Sequence, residues 1–131
     1  MTTLRESIQE RRMTEPRIVR SYELANEPVR SLQIHLGNGE KLLLPWSRFY
    51  SASHRGAGEN EELTLVFAMH EVVLRGVRLG LLLPKIASFH LACVWSESVE
   101  FQAKSDKKEA FISGVSVSCL GGLAGRIPES Y

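Results

Sequence analysis

The chain has 131 residues, of which 44% are hydrophobic and 24% charged, and its formal net charge is +1. A chain of this size and composition is expected to form one domain around one core, without help from metals or disulfides. Sixteen basic residues against fifteen acidic ones, with no basic cluster, argue against nucleic acid or anionic lipid as a partner, because phosphate contacts draw their affinity from concentrated Lys and Arg.

Residues 1–16 are charged and end at Pro16, with Leu4, Ile8 and Met13 as a thin apolar stripe; they read as a mobile N-terminal arm. The domain is expected over 17–120. Ile18, Val19, Tyr22 and Leu24 suggest a short strand. Leu32, Ile34 and Leu36 alternate with Ser31, Gln33 and His35, the period of a half-buried strand. Gly37-Asn38-Gly39 then predicts a tight reversal into a returning strand over Lys41–Leu44, because Asn and Gly both accept positive φ. Pro45 closes that strand. Trp46, Phe49 and Tyr50 follow at i, i+3 and i+4, which predicts a short helix over 46–53 with an aromatic face. His54–Asn60, with Gly56 and Gly58, reads as a loop.

Glu62–Ala68 is apolar on both faces and predicts a central strand. Met69-His70 turns the chain into a further strand over Glu71–Arg75. Leu79, Leu82, Leu83, Ile86 and Phe89 recur at the helical period and predict the main helix over 78–89, with Pro84 either kinking it or standing in its first turn. Alternation then predicts strands over Leu91–Trp95, Val99–Ala103 and Phe111–Cys119, with Ser105–Lys108 as a polar turn. The residues from Gly121 read as a loose tail, 121–131. The fold class that results is α+β: a mostly antiparallel sheet of about six or seven strands, open and partly rolled, covered by one main and one short helix. Its expected core includes Leu32, Ile34, Leu43, Leu65, Leu74, Ile86, Phe89 and Phe101.

The chain carries few motifs of chemistry. His70-Glu71 has Leu74 where the helical zinc motif needs a second histidine. His35, His54, His70 and His90 are dispersed, without the close pairing of metal ligands, and no metal or cofactor is expected. The glycine pairs lack the third glycine of a dinucleotide loop and the Lys-Ser/Thr of a phosphate loop. No G-x-S-x-G elbow occurs. Cys93 and Cys119 lie too far apart in sequence for a redox or zinc pair and read as reduced thiols. No apolar run reaches the roughly 20 residues needed to cross a bilayer, and no export signal opens the chain. A cytoplasmic protein is expected.

One patch stands out: Trp46, Arg48, Phe49 and Tyr50, followed by His54 and Arg55. Trp, Tyr and Arg dominate interface hot spots, and aromatics interleaved with Arg also stack on unpaired bases. The leading expectation is a protein-binding or regulatory module without catalysis, with a protein partner or self-association, as in a homodimer formed by pairing sheet edges. The alternatives are an enzyme with a site assembled from dispersed His, Glu and Arg, with His35, His54 or His70 as acid–base groups, and a single-stranded nucleic-acid binder using the aromatic patch.

Overall fold

The computed structural model describes residues 20–104 and 107–120. The arm expected at 1–16 and the tail expected at 121–131 lie outside the described residues, as do Ile18 and Val19. Among the described residues the strands are β1 (Tyr22–Leu24), β2 (Ser31–His35), β3 (Lys41–Pro45), β4 (Phe49–Ala57), β5 (Asn60–Phe67), β6 (His70–Val77), β7 (Leu91–Val94) and β8 (Phe111–Cys119), with one helix, α1 (Leu83–Ala87). They form a mixed α+β architecture of two four-stranded sheets, ordered β1-β7-β2-β3 and β4-β5-β6-β8. The expectation of one sheet with six or seven strands is corrected: the chain leaves the first sheet after β3, builds three strands of the second, and returns to the first with β7. All pairs are antiparallel except β2 with β7.

The Gly37-Asn38-Gly39 reversal forms as expected, with a difference in detail. Only Gly39 takes positive φ, at 90°. Leu36 N–H bonds Glu40 O at 2.8 Å, and Gly39 N–H bonds Leu36 O at 3.0 Å. This is the three-residue loop in which a turn is completed by one left-handed residue. The Asn38 side chain accepts the Glu40 amide at 2.9 Å, a local bond that favours turn over strand.

Four expected elements are corrected. The short helix over 46–53 is a single 3-10 turn, Trp46–Arg48, that runs straight into β4. Ser51 and Ser53 are weak helix formers, and the aromatics reach the core without a helix, Trp46 from the turn and Phe49 from the strand start. The loop expected at 54–60 is the end of β4, the turn and the start of β5. The main helix over 78–89 is a 3-10 turn, Leu79–Leu82, followed by α1. Pro84 stands in the first turn of α1, where its missing N–H removes no helical bond. His90 N–H bonds Lys85 O at 2.8 Å and Phe89 N–H bonds Ile86 O at 3.1 Å. With Phe89 at φ 62°, this is the left-handed ending that usually takes glycine. Finally, the strand expected at 99–103 is 3-10, Val99–Lys104. Only Val99 and Phe101 supplied bulk to that alternating pattern, and both are exposed.

One core cluster joins both sheets and the helical segment. It takes Leu32, Ile34 and Leu44 from the first sheet, Leu63, Leu65, Phe67, Val72 and Leu74 from the second, and Leu79, Leu82 and Ile86 from the segment between them. The sheets are also tied at one margin. Buried Ser21 accepts the Ile112 amide on its hydroxyl at 2.8 Å, and Glu97 N–H bonds Ile112 O at 2.9 Å. The expected core fails at Leu43, which is 63% exposed, and at Phe89 and Phe101, each 37% exposed. Leu32 and Leu44 pair directly across β2 and β3 and take the inner face, so period-two alternation sends Leu43 outward.

Candidate functional site

The aromatic–arginine patch is divided between inside and outside. Trp46 is 4% exposed and its ring contacts those of Phe49, Phe67 and Phe89 at centroid distances of 5.1, 5.5 and 5.4 Å. Phe49 is partly buried against the same cluster. Tyr50 and Arg48 are exposed, as is Arg55, which bonds Glu62 across the β4–β5 pair at 3.0 Å. His54 turns to Glu61. A strand, unlike a helix, sends neighbouring side chains to opposite faces, so the six residues do not share one surface.

Among the described residues, three concave regions differ in character. The first lies along the open edge of β3, a groove of about 380 Å³ lined by Leu42, Leu43, Pro45 and Arg48 on one side and Met69 and His70 on the other. No strand pairs with β3 on that side among the described residues. The bonds that bracket the hairpin, Leu36 N–H to Glu40 O and Trp46 N–H to Arg30 O, fix the alternation of its ladder. Leu42 and Leu44 therefore point their backbone groups at β2, while Lys41 and Leu43 present theirs to the open edge. Pro45 falls on the open side too, where its lack of an N–H does not harm the sheet. The other edges are guarded differently. β4 carries Ser51, Ser53, His54 and Arg55, β8 carries Ser116 and Ser118, and β1 has three residues. Charges, polar residues and shortness are the usual protections of an edge; the middle of β3 has three leucines.

The second region is the outer face of the first sheet. Gln33 and Glu23 both pair with Cys93 across neighbouring strands, so the three share that face with His35. His35 Nε2 lies 3.3 Å from Cys93 Sγ, and its ring is 5.9 Å from that of Trp95. Together they line a cavity of about 420 Å³. Cys93 is buried. Burial, and then the negative charge of Glu23, push its thiol above the ordinary value of 9.0, with Lys41 opposing. The group is a neutral thiol at neutral pH, the reverse of the thiolate that nucleophilic cysteines hold.

The third is a cavity of about 570 Å³ between the β4–β5 hairpin and the chain that follows β6, lined by His54, Glu61, Arg78 and Lys107 among others. Glu61 organises it. One carboxylate oxygen contacts His54 Nε2 at 2.7 Å and accepts the Leu79 amide at 2.9 Å; the other accepts the Arg78 amide at 2.8 Å. Burial raises the Glu61 carboxyl, but these bonds and the attraction of His54 outweigh it and leave its pKa below 4.5. Arg78 sits at φ 56°, and its Nε donates to Glu109 O at 2.6 Å.

The three histidines thus fall in three places: His35 beside Cys93, His54 beside Glu61, and His70 on the β3 groove. Among the described residues no group of three or more His, Cys, Asp or Glu is placed to hold a metal, and no helix is long and apolar enough to cross a membrane. Compared with family models, with curated proteins and with solved structures, the chain matches none. In the sequence Leu43 reads as a core residue, Cys93 as a reduced thiol and Glu61 as a surface carboxylate, none of them as part of a site. The signal for Leu43 was present: three consecutive leucines in a strand must put one of them on the wrong face.

Proposed function

We propose that the chain is a binding module without catalysis of its own, acting through the open edge of β3, which takes up an extended strand by main-chain pairing. The carrying observation is an open edge with Lys41 and Pro45 at its two ends and an apolar middle, where the outward backbone groups are those of Leu43. The partner of first choice is a second copy of the chain. An antiparallel β3–β3 pair about a twofold axis at Leu43 sets Leu43 opposite Leu43 and Lys41 opposite Pro45. Both outward groups of Leu43 are then bonded reciprocally, and the proline faces the strand end. Such an isologous contact closes on itself as a dimer.

Leu43→Pro is the sharpest test. It removes the outward N–H and leaves the ladder to β2 intact. Sedimentation should show a concentration-dependent dimer for the native chain and a monomer for Leu43→Pro, with both variants equally folded by circular dichroism. A native chain that stays strictly monomeric at high concentration ends the reading.

A second reading is an enzyme that uses the thiol–imidazole pair of His35 and Cys93 inside a cavity; it requires His35 to take the thiol proton against the burial that holds Cys93 neutral in the resting protein. Alkylation separates the two readings. A module without catalysis should label at exposed Cys119 and hold Cys93 unlabelled until denatured. A thiol enzyme should label Cys93 first, and His35→Ala should slow that labelling.

A further inference from the structure

The groove beside β3 lies where the described residues end. Leu120 N–H bonds Met69 O at 2.8 Å, and Cys119 pairs with His70 at the end of the β6–β8 ladder. Met69 and His70 line one side of that groove, and Leu42, Leu43 and Pro45 line the other. Residues 121–131 therefore leave β8 at the side that faces the open edge. The point of exit also sets a direction. Ala68 N–H bonds Arg48 O at 2.8 Å, so the turn after β5 stands at the Pro45 end of β3. A segment that starts there and follows the edge runs toward Lys41, against the direction of β3, which is the antiparallel sense. Residues 1–19 enter elsewhere: β1 is the opposite margin of the same sheet, with β7 and β2 between it and β3.

The sequence of 121–131 suits an edge. Gly121 and Gly122 permit a reversal of either hand. Leu123, Gly125 and Ile127 then fall at period two, the spacing that puts residues on one face of a strand, and Pro128 follows where a strand can stop. Reach is ample: a segment of this length extends to at most about 36 Å, against about 17 Å for a strand the length of β3. We infer that residues 122–127 of the same chain pair along β3 and compete with a second copy for its outward backbone groups. This rests on β3 being a pairing edge and adds what regulates it. A tethered segment acts at an effective concentration on the order of millimolar, so even weak pairing holds the edge for part of the time. Dimerisation needs both edges free, so an edge open about one third of the time in each copy weakens the dimer about tenfold.

The test compares the native chain with Leu123→Asp/Ile127→Asp, both carrying residues 1–131. Sedimentation over a range of concentrations should give the variant a dimer about tenfold tighter, the factor expected from freeing both edges. Hydrogen exchange read by mass spectrometry, at a dilution where both proteins are monomeric, should find the Leu43 amide slower in the native chain than in the variant. The Leu42 and Leu44 amides, which face β2, should exchange alike in the two. Equal exchange at Leu43 overturns the pairing, whatever the dimer does. Equal dimer constants overturn the competition and leave the β3–β3 contact standing. If neither protein dimerises, the β3–β3 contact alone is overturned, and a slower Leu43 amide in the native chain still carries the pairing with 122–127.

Discussion

Glu61 shows how one residue can join three parts of a chain. It leaves β5 beside Gly76 of β6, meets His54 across the hairpin, and satisfies the two amides that open the 3-10 turn after β6. Those amides would otherwise lack partners, as at any helical start. Because the folded carboxyl titrates below its ordinary value, its contribution is fully present above 4.5 and is lost as pH falls through the lowered value. Glu61→Gln should cost about 1–3 kcal/mol at neutral pH, the scale of a lost charge-assisted acceptor. The gap between the native chain and the variant should narrow as the solution is acidified below 4.5. Denaturant titrations of both proteins across that range check this; a constant gap would show that the bonds do not depend on the charge.

At the scale of elements, the aromatic cluster replaces the helix that the spacing of Trp46, Phe49 and Tyr50 predicts. The 3-10 turn after β3 drops Trp46 between Phe49, Phe67 and Phe89, joining the start of β4, the end of β5 and the end of α1. Trp46→Ala should cost about 3–5 kcal/mol, the usual penalty for emptying an aromatic core site. Trp46→Phe should cost far less. It keeps most of the apolar contact and removes an indole N–H that is buried without a partner, a donor whose isolation itself costs about 1–3 kcal/mol. Thermal or denaturant unfolding of the two variants reads the difference directly. The same cluster explains a backbone oddity. Phe89 occupies a left-handed position that favours glycine, and its ring contact with Trp46 offsets that strain.

At the scale of the molecule, the two sheets share one core, and the chain crosses between them before either is complete. β7 completes the first sheet only after β4, β5 and β6 have been laid down, and β8 is tied back to Ser21. Neither sheet can hold its apolar face without the other, so unfolding should be one transition. Tryptophan fluorescence reports on Trp46 and Trp95, and far-ultraviolet circular dichroism on the strands; the two denaturation curves should coincide. A separate early fluorescence transition would mean that the first sheet opens by itself.

Much of this was legible in the chain itself. Alternation located β2, β7 and β8, continuous apolar runs located β5 and β6, the Asn-Gly reversal located the β2–β3 hairpin, and the leucine spacing after Gly76 marked the segment that fills the core. These features depend on residues close in sequence, whose backbone preferences act locally. The division into two sheets, the contact of Cys93 with His35, the bracket made by Glu61 and the open edge at Leu43 were settled by tertiary structure. Each depends on which strands become neighbours, and that choice follows from burying two apolar faces against each other, a constraint no stretch of a few residues contains.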